Sequence, residues 1–310
     1  MTTLGVRLFR KLAVDRDGVT LPDFESRAQE LFSYLLLYRQ RPHRREALAD
    51  VLWPENDSTQ SKKYLRQTLW HLQGIVDART GPDGRRVLLV EADWIQIDPV
   101  ADIWLDVAQF EQAFAWAQGG AGRQLDLRSA QGLREAVCLY QGDLLEGWQQ
   151  DWCLFERERL QNIYLSMLDK LMAFCEDQHQ YDDGIAYGAS ILRLDRARER
   201  THRQLMRLHA LAGDRTAALR QYARCVTMLA EELDVSPSHR TIALLERIRA
   251  DHVEGASPEP TEAGIGTTSP VEPLPEALGR LRQLHGVLSE FQDQLQQDIR
   301  AVELSLHDRR

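Results

Sequence analysis

The sequence predicts a mainly α-helical chain that opens with a small α+β module and ends in a separate amphipathic helix. Three observations carry this. Strand-like alternation and a turn-bounded hairpin pattern fall within the first hundred or so residues. From about Val107 to Ala250 the pattern is helical throughout, with an internal repeat offset of 34 residues. Behind a proline-rich stretch, the last apolar positions fall three and four apart, the spacing of a coiled coil. The expected divisions are 1–98, 99–250, a flexible linker at 251–276, and a coiled-coil helix at 277–310.

Val6 and Leu8, and less regularly Leu12 and Val14, alternate with polar residues as half-buried strands do. Pro22 and Asp23 turn the chain, and a helix is expected from Ser26 to Arg39, with Ala28, Leu31, Phe32, Leu35 and Leu36 at helical spacing. Pro42 ends that run. Arg44–Leu52 reads as a short helix, stopped at Trp53-Pro54 because proline disfavours a helical residue before it. Asp57 or Ser58 offers an N-cap for a third helix reaching about Val76. Gly81-Pro82-Asp83-Gly84 signals a turn, and Arg85–Val90 with Trp94–Ile97, around Glu91-Ala92-Asp93, reads as a hairpin. Strands, three helices and a terminal hairpin in this order make a winged helix-turn-helix, whose third helix can enter a major groove.

That third helix is the most informative element. Leu65, Leu69, Leu72 and Val76 define a core stripe. At 100° per residue, Lys63, Arg66, Gln67 and Trp70 point to the opposite side, with Lys62 on the flank. A basic face on a surface helix is usually only solvated. A large aromatic opposite a core stripe normally contacts something, so Trp70 packs either on DNA or on the wing.

The charge balance appears at first to oppose this reading. Lys and Arg number 38 against 47 Asp and Glu, a net −9, and affinity for phosphate backbones needs clustered positive charge. The excess is unevenly placed, however. Residues 1–98 carry a net +1, residues 99–310 a net −10, and residues 39–86 a local +4. The acidity belongs to the second part.

The residue inventory excludes several classes. Cys138, Cys153, Cys175 and Cys225 lie far apart with no C-x-x-C pair, and read as buried small hydrophobes in a reducing compartment. His202 and His209 could share a helical face, but with no third ligand evident they read as a satisfied surface pair rather than a metal site. Phosphate loops, dinucleotide fingerprints, zinc-protease motifs and nucleophile elbows are missing, so neither an enzyme nor a cofactor is expected. The longest apolar stretch, Leu31–Leu37, is far too short to span a membrane, and a cytoplasmic location is expected.

In the middle region His179–Ile185 aligns with Gly213–Leu219, and Leu171, Met172 and Phe174 align with Leu205, Met206 and Leu208. A period of 34 with small residues at Gly184 and Ala218 is the tetratricopeptide signature. Such repeats offer a surface to a peptide, a helix or a ligand, or they merely scaffold what precedes them.

Two stretches also resemble a known family. Arg45-Glu46-Ala47-Leu48-Ala49-Asp50-Val51-Leu52-Trp53-Pro54 and Lys63-Tyr64-Leu65-Arg66-Gln67-Thr68-Leu69 resemble SARP-type (antibiotic-regulatory) transcriptional activators. Leu139–Gly147, Glu156–Leu160, Ala217–Tyr222 and Leu229–Leu233 with Val235-Ser236-Pro237 resemble the bacterial transcriptional activator domain that follows the winged helix in that family. The resemblance implies that Lys62, Lys63, Arg66 and Gln67 lie on a recognition helix and that Arg44 and Arg45 contact phosphates, with Trp70, Arg85 and Arg86 completing the DNA-facing set. It further implies binding of double-stranded DNA at direct repeats and recruitment of RNA polymerase. The chain departs from the family in having Gln73 where an arginine is common, and in an acidic wing at Glu91 and Asp93.

Residues 251–276 hold five prolines, three glycines, six acidic residues and no Lys or Arg, the composition of a flexible linker. Beyond them Leu281, Leu284, Leu288, Phe291 and Leu295 keep coiled-coil spacing, and Ile299, Val302 and Leu306 resume it after a stutter. A lone helix of this kind needs its stripe covered. Self-association into a homo-oligomer is expected first, docking on the repeats second, and a separate partner third. Two functional readings follow: a sequence-specific transcriptional activator, and a helical-repeat interaction scaffold or effector sensor with little DNA affinity.

Overall fold

A computed structural model describes residues 3–22, 24–77, 86–117 and 125–251. The expected linker and coiled-coil helix, the turn at Gly81–Gly84 and Arg85 lie outside the described residues. Among the described residues the chain is mainly helical, with a winged helix-turn-helix at its start.

The chain begins with β1 (Leu4–Arg7), β2 (Ala13–Arg16) and β3 (Val19–Thr20), an antiparallel meander. Val6 pairs Val14, and both are buried, as the alternation required. Helix α1 (Ser26–Leu37) follows, with Ala28, Leu31, Phe32, Leu35 and Leu36 fully buried. It ends two residues before the expected Arg39, because Tyr38 leaves helical geometry and the Arg39 guanidinium turns back to donate to Leu36 O at 3.2 Å. Strand β4 (His43–Arg44) precedes α2 (Arg45–Leu52) and α3 (Ser58–Val76). The wing is β5 (Leu88–Val90) and β6 (Trp94–Ile97), and β4 joins β6 to make a three-stranded sheet.

Strand β7 (Ile103–Leu105) runs parallel to β1, with Val6 beside Leu105, so the first sheet has the order β3-β2-β1-β7. A segment beyond residue 98 therefore completes the N-terminal sheet. The chain passes straight from β7 into α4 (Asp106–Trp116). The Asp106 carboxylate accepts from Leu8 N at 3.0 and 2.9 Å, from Phe9 N at 3.0 Å and from Val107 N at 2.7 Å. Phe9 packs edge-on against Phe110, with centroids 5.2 Å apart, and against Tyr140 at 5.0 Å; Tyr140 in turn stacks on Tyr164 at 4.2 Å.

The remaining helices are α5 (Leu127–Leu139), α6 (Asp151–Asp177), α7 (Tyr181–Leu194), α8 (Glu199–Leu211), α9 (Arg215–Leu233) and α10 (His239–Arg249). The 34-residue offset recurs in the boundaries: α6 and α8 end at Asp177 and Leu211, and α7 and α9 begin at Tyr181 and Arg215. Gly184 and Ala218 are buried at equivalent places. At Gly188 an added Cβ would come within 2.6 Å of Leu205 Cδ2, so α7 and α8 approach closely there.

The stretch from Leu139 to Gly147 carries out a structural task. Leu145 N donates to Leu8 O at 3.0 Å and Arg10 N to Asp143 O at 2.8 Å, which ties this loop to the N-terminal module. Arg157 holds it from behind, donating to Leu144 O at 3.0 Å, Leu145 O at 3.0 Å and Trp148 O at 3.1 Å.

Two expectations from the inventory are corrected. His202 is not a surface residue but 2% exposed, bonded through Nε2 to Arg196 O and through Nδ1 to the Gln221 amide, each at 2.8 Å. Burial lowers its pKa, which holds it neutral. Cys138 is exposed on the outer face of α5, whereas Cys153, Cys175 and Cys225 are buried, and all four are free thiols.

Asp106→Ala should destabilise the chain by on the order of 3 kcal/mol in urea unfolding, because it orphans buried backbone donors. Burial raises the Asp106 pKa over the opposing pull of its backbone donors. Stability from this group is therefore full below the ordinary carboxyl value and falls as pH rises through the raised one. Relative to Asp106→Asn, the parent chain should lose stability across that window; a pH-independent difference would contradict the raised value.

Candidate nucleic-acid interface

Helix α3 is placed by anchors at both ends. Asp57 caps its start, Oδ1 accepting from Gln60 N at 2.9 Å, and Ser61 Oγ donates to Trp53 O at 3.2 Å. At its end the Arg16 guanidinium, 8% exposed, donates to Val76 O, and Asp77 Oδ1 accepts from Val87 N at 2.7 Å. Burial raises the Asp77 pKa against the pull of Val87 N–H and the nearby Arg86. The helix is therefore tied both to the first sheet and to the wing.

Its two faces divide as the spacing required. Leu65, Leu69, Leu72 and Val76 are at most 2% exposed, and Ser61 and Thr68 are buried with them. Lys62, Lys63, Arg66, Gln67 and Trp70 are all exposed, Trp70 to 71%. Among the described residues Trp70 packs on no ring of the wing: its ring neighbour there is His71, at 5.1 Å. Gln73 is half-buried.

The expected cations differ in how free they are. Lys63 and Arg66 have no ion pair or hydrogen-bond partner among the described residues. Lys62 Nζ pairs with Glu46 Oε1 at 2.7 Å on the surface, and this contact lowers the Glu46 pKa. An exposed pair of this kind is screened and readily exchanged for another anion. Arg45 Nη1 donates to Glu91 O at 3.1 Å, and Arg45 N to Asp93 O at 2.9 Å. The Arg44 guanidinium lies 5.3 Å from the Trp94 ring centroid. Arg44 and Arg45 thus fasten the start of α2 to the wing, while Arg86 stands exposed at the foot of β5. The structure gathers Lys62, Lys63, Arg66, Gln67 and Trp70 on one helix face, with Arg44 at the end of β4 and Arg45 at the start of α2.

Sequence reasoning missed the residues that orient this face. Arg16 and Trp94 act through tertiary contact, and β4 spans two residues with no readable period. Among the described residues no helix is long and apolar enough to cross a membrane, and no group of three or more His, Cys, Asp or Glu could hold a metal ion.

Residues 105–249 match the Bacterial transcriptional activator domain. The chain is 28% identical over 283 residues to Regulatory protein AfsR of Streptomyces coelicolor, an alignment that takes in 88% of this chain. It spans only 28% of the length of that relative. Its fold is similar to that of Mycobacterium tuberculosis EmbR in complex with a low affinity phosphopeptide, with a TM-score of 0.62 and 20% identity over 81% of this chain and 66% of that one. The domain match and these likenesses support the resemblance to SARP-type regulators that the motifs carry.

Lys63→Ala and Arg66→Ala, at exposed and unpartnered positions, should each leave the urea midpoint within about 0.5 kcal/mol of the parent. A larger loss would show that these side chains hold the fold rather than face a ligand.

Proposed function

We propose that the chain is a sequence-specific, double-stranded-DNA-binding transcriptional activator that reads a major groove with the outward face of α3. The observation that carries this reading is the pair of cations Lys63 and Arg66, without partners among the described residues and set beside Gln67 and the 71%-exposed Trp70 opposite a fully buried stripe. Arginine and lysine can bond guanine edges, and glutamine can bond adenine. Arg44, Arg45, Lys62, Arg85 and Arg86 would reach flanking phosphates, which position the module without reading sequence. The helices behind it act as a tetratricopeptide-like domain for protein or effector contact. RNA polymerase is the partner that the family resemblance supports. The C-terminal helix, through Leu281, Leu284, Leu288, Phe291, Leu295, Ile299 and Val302, would pair protomers in the cytoplasm. Cutting the chain after Ala250 should then lower the number of chains per particle, read as solution mass divided by the mass of one truncated chain; an unchanged number would contradict the pairing.

A second reading, an interaction scaffold or effector sensor with little DNA affinity, draws support from the engaged states of Lys62, Arg44 and Arg45. Titration against random-sequence DNA at two salt concentrations, with selection of bound sites, separates the two. Under the activator reading one sequence is enriched, binding falls steeply with salt, and Lys63→Ala with Arg66→Ala weakens binding to that sequence by about 1–3 kcal/mol per side chain and relaxes its preference. No enrichment, together with no effect of the double substitution, would leave only the scaffold reading.

A further inference from the structure

A second concave feature lies away from the outward face of α3. A cleft of ≈ 880 Å³ opens between the N-terminal module and the start of α6. One wall is α1 with the turn between α2 and α3; the other is the segment from Gly147 to Trp152. The volume is in the range that encloses a small organic ligand.

Its lining has a definite chemistry. Trp53, Trp148 and Trp152 supply an aromatic surface, the last two meeting edge to face at 6.2 Å. Glu30, Asp50, Glu55 and Asp151 line it against a single cation, Arg27.

Glu30 is the most deeply placed of these carboxylates, its side chain 4% exposed, and burial raises its pKa. Its ionic partner, Arg27 Nη1 at 2.7 Å, is half-exposed and shared with Leu52 O at 3.0 Å. The same guanidinium lies 6.0 Å from the Trp53 ring centroid, so this wall already receives a cation on an aromatic face. Gln150 Oε1 is buried with no hydrogen-bond partner among the described residues. The Trp152 indole and the Gln150 side chain both neighbour the Glu30 carboxylate and oppose the rise in its pKa, while Trp152 Nε1, like Gln150 Oε1, completes no hydrogen bond among the described residues. A buried acceptor without a donor is costly unless something supplies one.

We propose that this cleft binds a small organic cation, an ammonium or guanidinium carried on an apolar body. Glu30 and Asp151 supply the counter-charge, and the tryptophans cover the body. The site is independent of DNA binding by α3.

The test follows the indole N–H signals of the seven tryptophans of the full chain by NMR while phenethylamine is added, with 2-phenylethanol as a neutral probe of the same shape. Saturable shifts are expected at Trp53, Trp148 and Trp152, with the alcohol binding at least about tenfold more weakly. Glu30→Gln should weaken the amine alone. So should Asp151→Asn, at an exposed position where folding is not at stake. Equal binding of amine and alcohol, absence of saturable shifts at these three signals, or indifference of the amine to Asp151→Asn would each overturn the proposal.

Discussion

The Asp106 carboxylate is the constraint on which the rest of the molecule depends. It is the first residue of α4 and is 3% exposed, yet it accepts from Leu8 and Phe9, the two residues that follow β1. Those donors would otherwise be buried without partners, which a small sheet could not sustain. Meeting them with the N-terminal carboxylate of a helix also suits the helix dipole. One residue therefore satisfies the end of the first strand, starts α4 and fixes β7 beside β1. The Phe9, Phe110 and Tyr140 rings then fill the space this junction encloses.

The orientation of α3 descends from that junction. The first sheet places Arg16 at the end of α3, and the wing places Asp77 and Val87 beside it. Held at both ends, the helix shows solvent only the face that its core stripe leaves over. The charge balance acquires a physical sense from this arrangement. A net −9 for the whole chain coexists with two cations on one helix face that have no partner among the described residues, because the acidic excess lies beyond residue 98. Under the proposed function such a distribution would weaken non-specific attraction to DNA and favour approach through α3.

What the sequence made legible is what short-range physics determines. The Leu65, Leu69, Leu72, Val76 stripe and the Asp57 cap are local, and the structure has both where the spacing placed them. The 34-residue offset was equally legible, since each hairpin must bury the same face against its neighbour. Strands β4 and β7 were not legible: two or three residues carry no period, and only pairing with β6 and β1 makes them strands. The engaged states of Arg44 and Arg45 were hidden for the same reason, because their partners Trp94 and Glu91 lie across the wing sheet. His202 was misplaced because spacing along a helix cannot reveal Gln221 on the next one, which makes burial tolerable.

The central claim is that the outward face of α3, and not the repeat domain, meets DNA. Photo-crosslinkers placed singly at Gln67 and at Leu233, an exposed position on α9, test it most directly on selected DNA. The account predicts crosslinks to bases in the major groove from position 67 and none from position 233. Crosslinks from position 233, or none from position 67 on DNA that the chain demonstrably binds, would contradict it.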